Sequence, residues 1–343
     1  MHNMPIASRS SILLLGQRGF TGRLIFEDLT GSHLRPIHAP NVSRAAPLSA
    51  QLEALLQRLK PGDIVLNCLG PFRHTFAPVL DLCLATGAHY LDICAEWRVF
   101  EALHDADAAA RAAGIMLLPG VGFDVVASDC LAAHVARRLP TATRLQIGIS
   151  GLELASRGSA RTIAELVGEP VRTRRDGAIV ADARLRDESF DFGDGPVRAL
   201  AVSWGDVSTA FHTTGIPNVE VYFEATPAST YLAFANRTFG WMFRNPLVER
   251  AAQQFARGLR PGPTAAERAG RRVTIVARAT DPRGRSVESR LVTNEAYTFT
   301  AQSACAVMQR VAEGRIEPGF QTPGKLLGAD FVLQIEGTER HDV

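Results

Sequence analysis

The sequence predicts an α/β protein: a shortened Rossmann-like parallel-sheet domain joined to an α+β substrate domain with a largely antiparallel sheet. Three observations predict it. Short apolar runs alternate with helix-like runs up to Pro140. A glycine-rich turn, Gly16-Gln17-Arg18-Gly19-Phe20-Thr21-Gly22, joins the first apolar run to the first helix. Beyond Pro140, strand-like runs follow one another without regular helices between them.

The elements follow in order. Residues 11–15 (SILLL) read as a strand, 21–29 as a helix and 34–38 as a weak strand. Leu48, Leu52, Leu55, Leu56 and Leu59 recur at the spacing of an amphipathic helix over 48–60, stopped by Pro61-Gly62. Strands are expected at 63–69, 89–95 and 115–119, and helices at 75–86, 98–113 and 126–138. Strands this uniformly apolar are covered on both faces, which requires a parallel sheet between helix layers. In the second half, strands are expected at 144–150, 197–203, 218–223, 272–279 and 286–292, the last two joined by the turn Asp281-Pro282-Arg283-Gly284. Segment 171–188, rich in Arg and Asp, reads as a solvated loop or hairpin, and Arg268, Arg271 and Arg272 as solvated surface. Residues 231–258 read as helical; Tyr231, Phe234, Phe239, Trp241 and Phe243 there suit a core or dimer interface, or a lipid-facing surface. A helix is expected over 297–313. The domains are then 1–142 for a dinucleotide and 143–293 for substrate or dimerisation, with 294–343 returning to the first.

Composition bounds the function. With 46% hydrophobic and 21% charged residues the chain is ordinary globular protein, not disordered. Its 37 basic and 35 acidic residues leave a net charge of +2, which gives no electrostatic case for nucleic acid or an anionic membrane. The five cysteines, Cys68, Cys83, Cys94, Cys130 and Cys305, have no CxxC spacing and read as reduced thiols of a cytoplasmic protein, with no metal site. No signal-peptide core lies in residues 1–10 and no apolar run reaches the ~20 residues that span a bilayer.

The glycine turn carries the chemistry. Gly16 permits the turn off the strand, Gly19 lets backbone approach a pyrophosphate and Gly22 lets the helix pack against the sheet. The helix N-terminus offers free N–H groups to phosphate. A second tip, Leu69-Gly70-Pro71-Phe72, ends the strand expected at 63–69 and would face the glycine turn as a cofactor wall; its bland role is punctuation.

These residues resemble a known family. Gly19-Phe20-Thr21-Gly22-Arg23, Asn67-Cys68-Leu69-Gly70-Pro71-Phe72, His89-Tyr90-Leu91-Asp92 with Glu96, Gly122-Phe123-Asp124 and Ser128-Asp129 are similar to the saccharopine dehydrogenase-like oxidoreductases. Thr214-Gly215-Ile216-Pro217-Asn218 and Pro318-Gly319-Phe320-Gln321-Thr322-Pro323 extend the resemblance, nearest to the trans-acting enoyl reductase-like branch. The resemblance implies an NADP cofactor lined by Gly16, Gly19, Phe20, Thr21, Gly22, Leu69, Gly70, Pro71 and Phe72. Two departures stand out. Gln17 and Arg18 replace the small residues usual after the first glycine, so that the site is narrowed or Arg18 meets phosphate. Between Gly22 and Asp63 there is also room for one strand fewer than the family has. No Asp or Glu ends 34–38 to hold ribose hydroxyls, which argues against NAD, and Arg44 is a candidate for a 2′-phosphate.

Candidate catalytic residues are Asp124, His212 and Glu96. Asp124 follows the strand at 115–119 and would face the nicotinamide end; its competing role is to cap the helix after it. Glu96 would orient substrate or ribose, or cap; His212 is suited to proton exchange near neutrality, or to a structural hydrogen bond. Tyr297 is a weaker acid candidate. The expected activity is NADP-dependent reduction of a C=C, C=N or C=O bond in a small or carrier-linked metabolite. The alternatives are an isomerase, cyclase or lyase on a fold that has lost its nucleotide, and a non-catalytic partner or lipid-binding protein. A homodimer is left open.

Overall fold

Two sheets share the chain, and the structure, a computed structural model, describes residues 11–30, 34–37, 47–152, 156–158, 169–182, 186–227, 229–231, 254 and 258–343. In the first part of the chain β1 (Ser11–Leu15), α1 (Phe20–Thr30), β2 (Arg35–Ile37), α2 (Leu48–Glu53), β3 (Ile64–Asn67), α3 (Phe76–Thr86) and β4 (His89–Asp92) alternate strand and helix. They are followed by α4 (Trp97–Asp105), α5 (Asp107–Ala112), β5 (Met116–Leu118) and α6 (Phe123–Arg138). Ile12 to Leu15 and Ile64 to Leu66 are wholly buried, with alternate residues packed into different cores on the two faces of the sheet. That is why these runs carry no polar alternation.

Two expected helices are shorter than their periodicity. The helix expected over 48–60 ends at Glu53, and the chain continues in turns in which Leu55 and Leu59 stay buried. Leu55 and Leu59 thus satisfy the apolar spacing by packing from turns. The helix expected over 98–113 breaks at Ala106, because Asp107 opens a new one and its carboxylate accepts the Phe320 N–H at 2.7 Å.

The second part contains β6 (Arg144–Ser150), β7 (Val171–Arg175), β8 (Ala178–Asp182), β9 (Asp187–Asp191), β10 (Pro196–Val202), α7 (Asp206–Thr214), β11 (Asn218–Glu224) and a single turn, α8 (Ala265–Arg268). It continues with β12 (Arg272–Thr280), β13 (Ser286–Asn294), α9 (Ala296–Ala312), β14 (Gly319–Phe320), α10 (Pro323–Leu327) and β15 (Glu339–Asp342). The first sheet is parallel throughout, in the order β14-β5-β4-β3-β1-β2. The second has the main order β15-β13-β12-β6-β11-β10-β9 and is antiparallel except where β11 runs parallel to β6. The fold is therefore a Rossmann-like parallel sheet with helices, plus a mixed, mostly antiparallel sheet. Among the described residues, only β2 lies beyond β1 in the first sheet.

Of the loop or hairpin expected at 171–188, the described residues show the hairpin. They form the hairpin β7–β8 and the start of β9, and Arg174 is 3% exposed because its guanidinium is used internally. Of the aromatic run at 231–258, Tyr231 is exposed, while Phe234, Phe239, Trp241 and Phe243 lie outside the described residues, as does Arg44. Among the described residues no helix is long and apolar enough to cross a membrane, and no three His, Cys, Asp or Glu are grouped to hold a metal.

Candidate active site at the carboxyl edge of the parallel sheet

The chain leaves β1 toward β2 on one side and returns to β3 on the other, so a crevice opens at the carboxyl ends of β1 and β3. Gly16 (φ +85°) turns the chain there, and the Gly19 N–H closes the turn on Gly16 O at 2.8 Å. The two tips touch: a Cβ on Gly16 would lie 2.7 Å from Cys68 O, and one on Gly22 2.3 Å from Gly16 O. Gly16 and Gly22 are thus fixed by packing. Gly19 is exposed, and a Cβ there would meet only Gly16 O, at 3.1 Å. Gly19 therefore leaves open the face at the N-terminus of α1 where a pyrophosphate would sit, so the residues present fit a dinucleotide. Arg18 is exposed beside it, Gln17 and Thr21 are half-buried, and the ring of Phe20 packs edge-on against Tyr297 at 5.1 Å. Gly262 lies over the Phe20 ring so closely that a Cβ would come within 2.6 Å.

The second tip is braced from β4. Both carboxylate oxygens of Glu96 accept backbone N–H groups, from Phe72 at 2.8 Å and Arg73 at 2.9 Å. Asn67 accepts the Leu69 N–H, and Thr75 donates to Leu69 O at 2.7 Å. Gly70 is exposed, Leu69 and Phe72 half-buried and Pro71 buried, and the Gly70–Pro71 peptide is cis. Asp92, wholly buried, binds the Gly120 and Cys94 N–H groups and the Tyr90 hydroxyl; burial raises it to about 6 against these donors. The tips of β3, β4 and β5 thus form one hydrogen-bonded ledge.

Asp124 stands at the far end of that ledge. Thr300 on α9 accepts the Phe123 N–H, and Ser303 donates to Val121 O, which pins the turn after β5. Asp124 is half-buried as a residue, and its carboxyl accepts the indole N–H of Trp204 at 3.0 Å. Burial pushes it up to about 7, with Trp204 holding it back. Trp204 lies in the turn after β10, its ring edge-on to Phe223 at 4.8 Å. Gly205 wedges that turn against the ledge: a Cβ on it would lie 2.6 Å from Phe100 and 3.3 Å from Ala95 O. β1 and β5 are three strand intervals apart, about 14 Å at the usual spacing, a span that suits a dinucleotide extended from Gly19 toward Asp124.

His212 sits elsewhere. Its Nε2 is 3.3 Å from Glu101 Oε1 and its ring stacks on His104 at 4.2 Å. The same Glu101 oxygen takes Arg174 at 2.6 Å and Ser208 at 2.5 Å. Burial would raise Glu101, but the bonds from His212 and Ser208 and the charge of Arg174 hold it at about 2. Ser208 and His212 share the face of α7 toward α4. The opposite face carries Asp206, Thr209 and Thr213 toward α6, and Asp129 there accepts Thr213 at 2.7 Å and the Gly324 N–H at 2.7 Å.

Three sequence candidates are therefore separated: Asp124 at the turn after β5, Glu96 beneath the second tip, and His212 at the α4–α7 seam. Trp204, Asp206 and Glu101 were not signalled by any motif; an isolated Trp two residues before an Asp acquires meaning only once β10 and β11 bring that turn to the ledge.

Residues 32–118, a quarter of the chain, match the family model described as the saccharopine dehydrogenase NADP binding domain. In that stretch the chain is similar to the saccharopine dehydrogenase-like oxidoreductases. The chain is 25% identical over 150 residues to a mouse saccharopine dehydrogenase-like oxidoreductase, covering 43% of this chain and 30% of the relative. It is 30% identical over 161 residues to the trans-acting enoyl reductase of Mycobacterium leprae (strain TN), covering 39% of this chain and 37% of that one. The matches thus span well under half the length of these curated relatives. Apo saccharopine dehydrogenase (L-Glu forming) from Saccharomyces cerevisiae superposes with a TM-score of 0.58 at 11% identity, covering 97% of this chain and 100% of that one, a likeness of fold.

Proposed function

We propose that this saccharopine dehydrogenase-like chain is an NADP-dependent oxidoreductase that reduces a C=C, C=N or C=O bond of a small or carrier-linked metabolite, with Asp124 as proton donor. The observation that carries this reading is the Asp124 carboxyl, poised at about 7 under the Trp204 N–H at the end of a ledge that begins at Gly19. The reduced cofactor, NADPH, would supply the hydride when bound.

The chain's own residues do the rest. Gly19 and the first N–H groups of α1 receive the pyrophosphate, with Arg18 beside them. Leu69, Gly70, Pro71 and Phe72 wall the crevice, held in shape by Glu96. Asp124, with a proton available near neutral pH, protonates the carbon, nitrogen or oxygen on which charge develops, and Trp204 stabilises the carboxylate left behind. Gly205 and Phe223 fix Trp204. His212 and Glu101 buttress the α4–α7 seam in this reading.

The test is titration with NADPH and NADH by calorimetry and fluorescence quenching. Micromolar binding of NADPH, weaker binding of NADH and loss of both in Gly19→Trp are expected. Absence of binding of either nucleotide up to millimolar overturns the reading.

A further inference from the structure

Arg172, half-buried on β7, carries a charge that no acid among the described residues balances. Its backbone N–H is received by Ser203 Oγ at 2.8 Å, but its guanidinium makes no ion pair or hydrogen bond with them. Nε is shut off from solvent and finds no acceptor. A cation held partly out of water is costly to leave without a counter-charge.

The next residue on the same face of β7 shows what is missing. Residues two apart on a strand share a face, so Arg172 and Arg174 point the same way. Arg174 donates to Glu101 on α4 at 2.6 Å, to Val207 O at 2.7 Å and to Gly177 O at 2.6 Å. Two strand residues span about 6.6 Å, and four helical residues about 6 Å. Arg172 therefore lies against α4 one turn before Glu101, at Trp97, and its Cζ is 5.9 Å from the centre of that ring. Where Arg174 meets a carboxylate, Arg172 meets an aromatic face. Arg98 also lies on Trp97, at 5.0 Å, but Glu169 pairs with it at 2.8 Å. Of the two cations on this ring, one is neutralised and the other is not. A ring face attracts a guanidinium and leaves the edge of its planar fork free for a ligand.

The place of this fork in the fold is specific. Trp97 directly follows Glu96, whose carboxylate holds the turn at Phe72 and Arg73. Ser203, which holds the Arg172 N–H, directly precedes Trp204, the donor to Asp124. The two segments meet at Gly205, where a Cβ would lie 3.3 Å from Ala95 O. Arg172 thus touches both of the segments that bring Trp204 to Asp124.

We propose that Arg172, backed by Trp97, receives an oxyanion of the substrate, a carboxylate or a phosphate, and so selects anionic substrates for the centre at Asp124. The proposal rests on the reading of Asp124 as proton donor. With Nε enclosed, the two terminal nitrogens present the end-on fork that matches either group through two parallel hydrogen bonds. No bond forms or breaks at Arg172; it fixes the end of the substrate that does not react.

The test titrates the full chain with malonate and with inorganic phosphate by calorimetry, with NADPH present to occupy the glycine turn. At least one probe should bind in the millimolar range, and Arg172→Gln should weaken it about tenfold or more; the probe so lost tells carboxylate from phosphate. Arg172→Lys keeps the charge without the fork and should fall between. Arg98→Gln, whose native guanidinium is already paired, should bind as the native chain does. Trp97→Glu supplies at Arg172 the acid that Glu101 supplies at Arg174. It should abolish probe binding without lowering the denaturation midpoint, and it decides the matter if Arg172→Gln does not fold. No binding of either probe, binding that survives Arg172→Gln or Trp97→Glu, or an equal loss in Arg98→Gln overturns the proposal. Failure to bind NADPH overturns the oxidoreductase reading instead, and the same titrations of the nucleotide-free chain still report on Arg172.

Discussion

Trp204 donates its indole N–H to Asp124 at 3.0 Å, joining a turn of the mixed sheet to the carboxyl edge of the parallel sheet. The bond favours the charged carboxylate, so its removal must raise the Asp124 pKa above about 7. Trp204→Phe keeps the edge-on ring against Phe223 and deletes only the donor. A hydrogen bond to a charged group contributes about 1.5–3 kcal/mol, which corresponds to roughly one to two pH units. The apparent acid pKa in the pH profile of kcat should therefore move up by that amount. A profile that stays in place would remove Asp124 from the proton step.

Gly19 and Gly22 should separate binding from folding. A Cβ at Gly22 collides with the Gly16 carbonyl at 2.3 Å, a backbone atom that cannot turn aside. Gly22→Ala should thus destabilise the chain by about 1–3 kcal/mol, read as a lower denaturation midpoint. Gly19→Ala meets only Gly16 O at 3.1 Å and should fold nearly as the native chain does. Its methyl instead occupies the approach to the N-terminus of α1, and calorimetry should show weakened NADPH binding.

The glycine turn and the Gly-Pro tip were legible because each depends on local backbone geometry. The strands were legible because burial on both faces leaves an unbroken apolar run. The split between α4 and α5 was not, since it follows from Asp107 accepting the N–H of Phe320, more than two hundred residues away. The same is true of α7. Its two polar faces, Ser208 with His212 and Asp206 with Thr213, hide the amphipathic pattern that announces a helix, because both faces are packed against protein. Glu96 shows the limit from the other side: the sequence offered orienting and capping roles, and the choice depended on which N–H groups came within reach.

Glu96 caps the turn at Phe72 and Arg73 through both oxygens. Glu96→Gln retains one acceptor and puts an N–H donor where the other acceptor stood. The loss should resemble that of a helix N-cap, about 1 kcal/mol. It should appear chiefly as a raised KM for NADPH, because the turn it holds is the crevice wall. A lowered kcat at unchanged KM would assign Glu96 to the chemistry itself.

The Glu101 cluster sets the response to acid. Despite burial, the donors His212 and Ser208 and the charge of Arg174 hold Glu101 at about 2, below the 4.5 of a free glutamate. A carboxyl with a depressed folded-state pKa adds stability that is fully present above its unfolded value and is lost as pH falls through the folded one. Glu101 therefore stabilises the fold at neutral pH, and that contribution fades between pH 4.5 and about 2. Glu101→Gln cannot titrate, so it should lower the denaturation midpoint at pH 7 and narrow the difference from the native chain as the pH approaches 2. Asp129 behaves oppositely. Burial raises it to about 6 against its donors Thr213 and Gly324, so the native fold loses stability as pH rises from 3.8 to about 6. Asp129→Asn should flatten that slope, while placing an amide donor toward one of the groups that now donate to the carboxylate. Thermal unfolding of both variants from pH 2 to 8 distinguishes the two signs, and parallel curves for Glu101→Gln and the native chain would show that the seam between α4 and α7 holds no net ionic stabilisation.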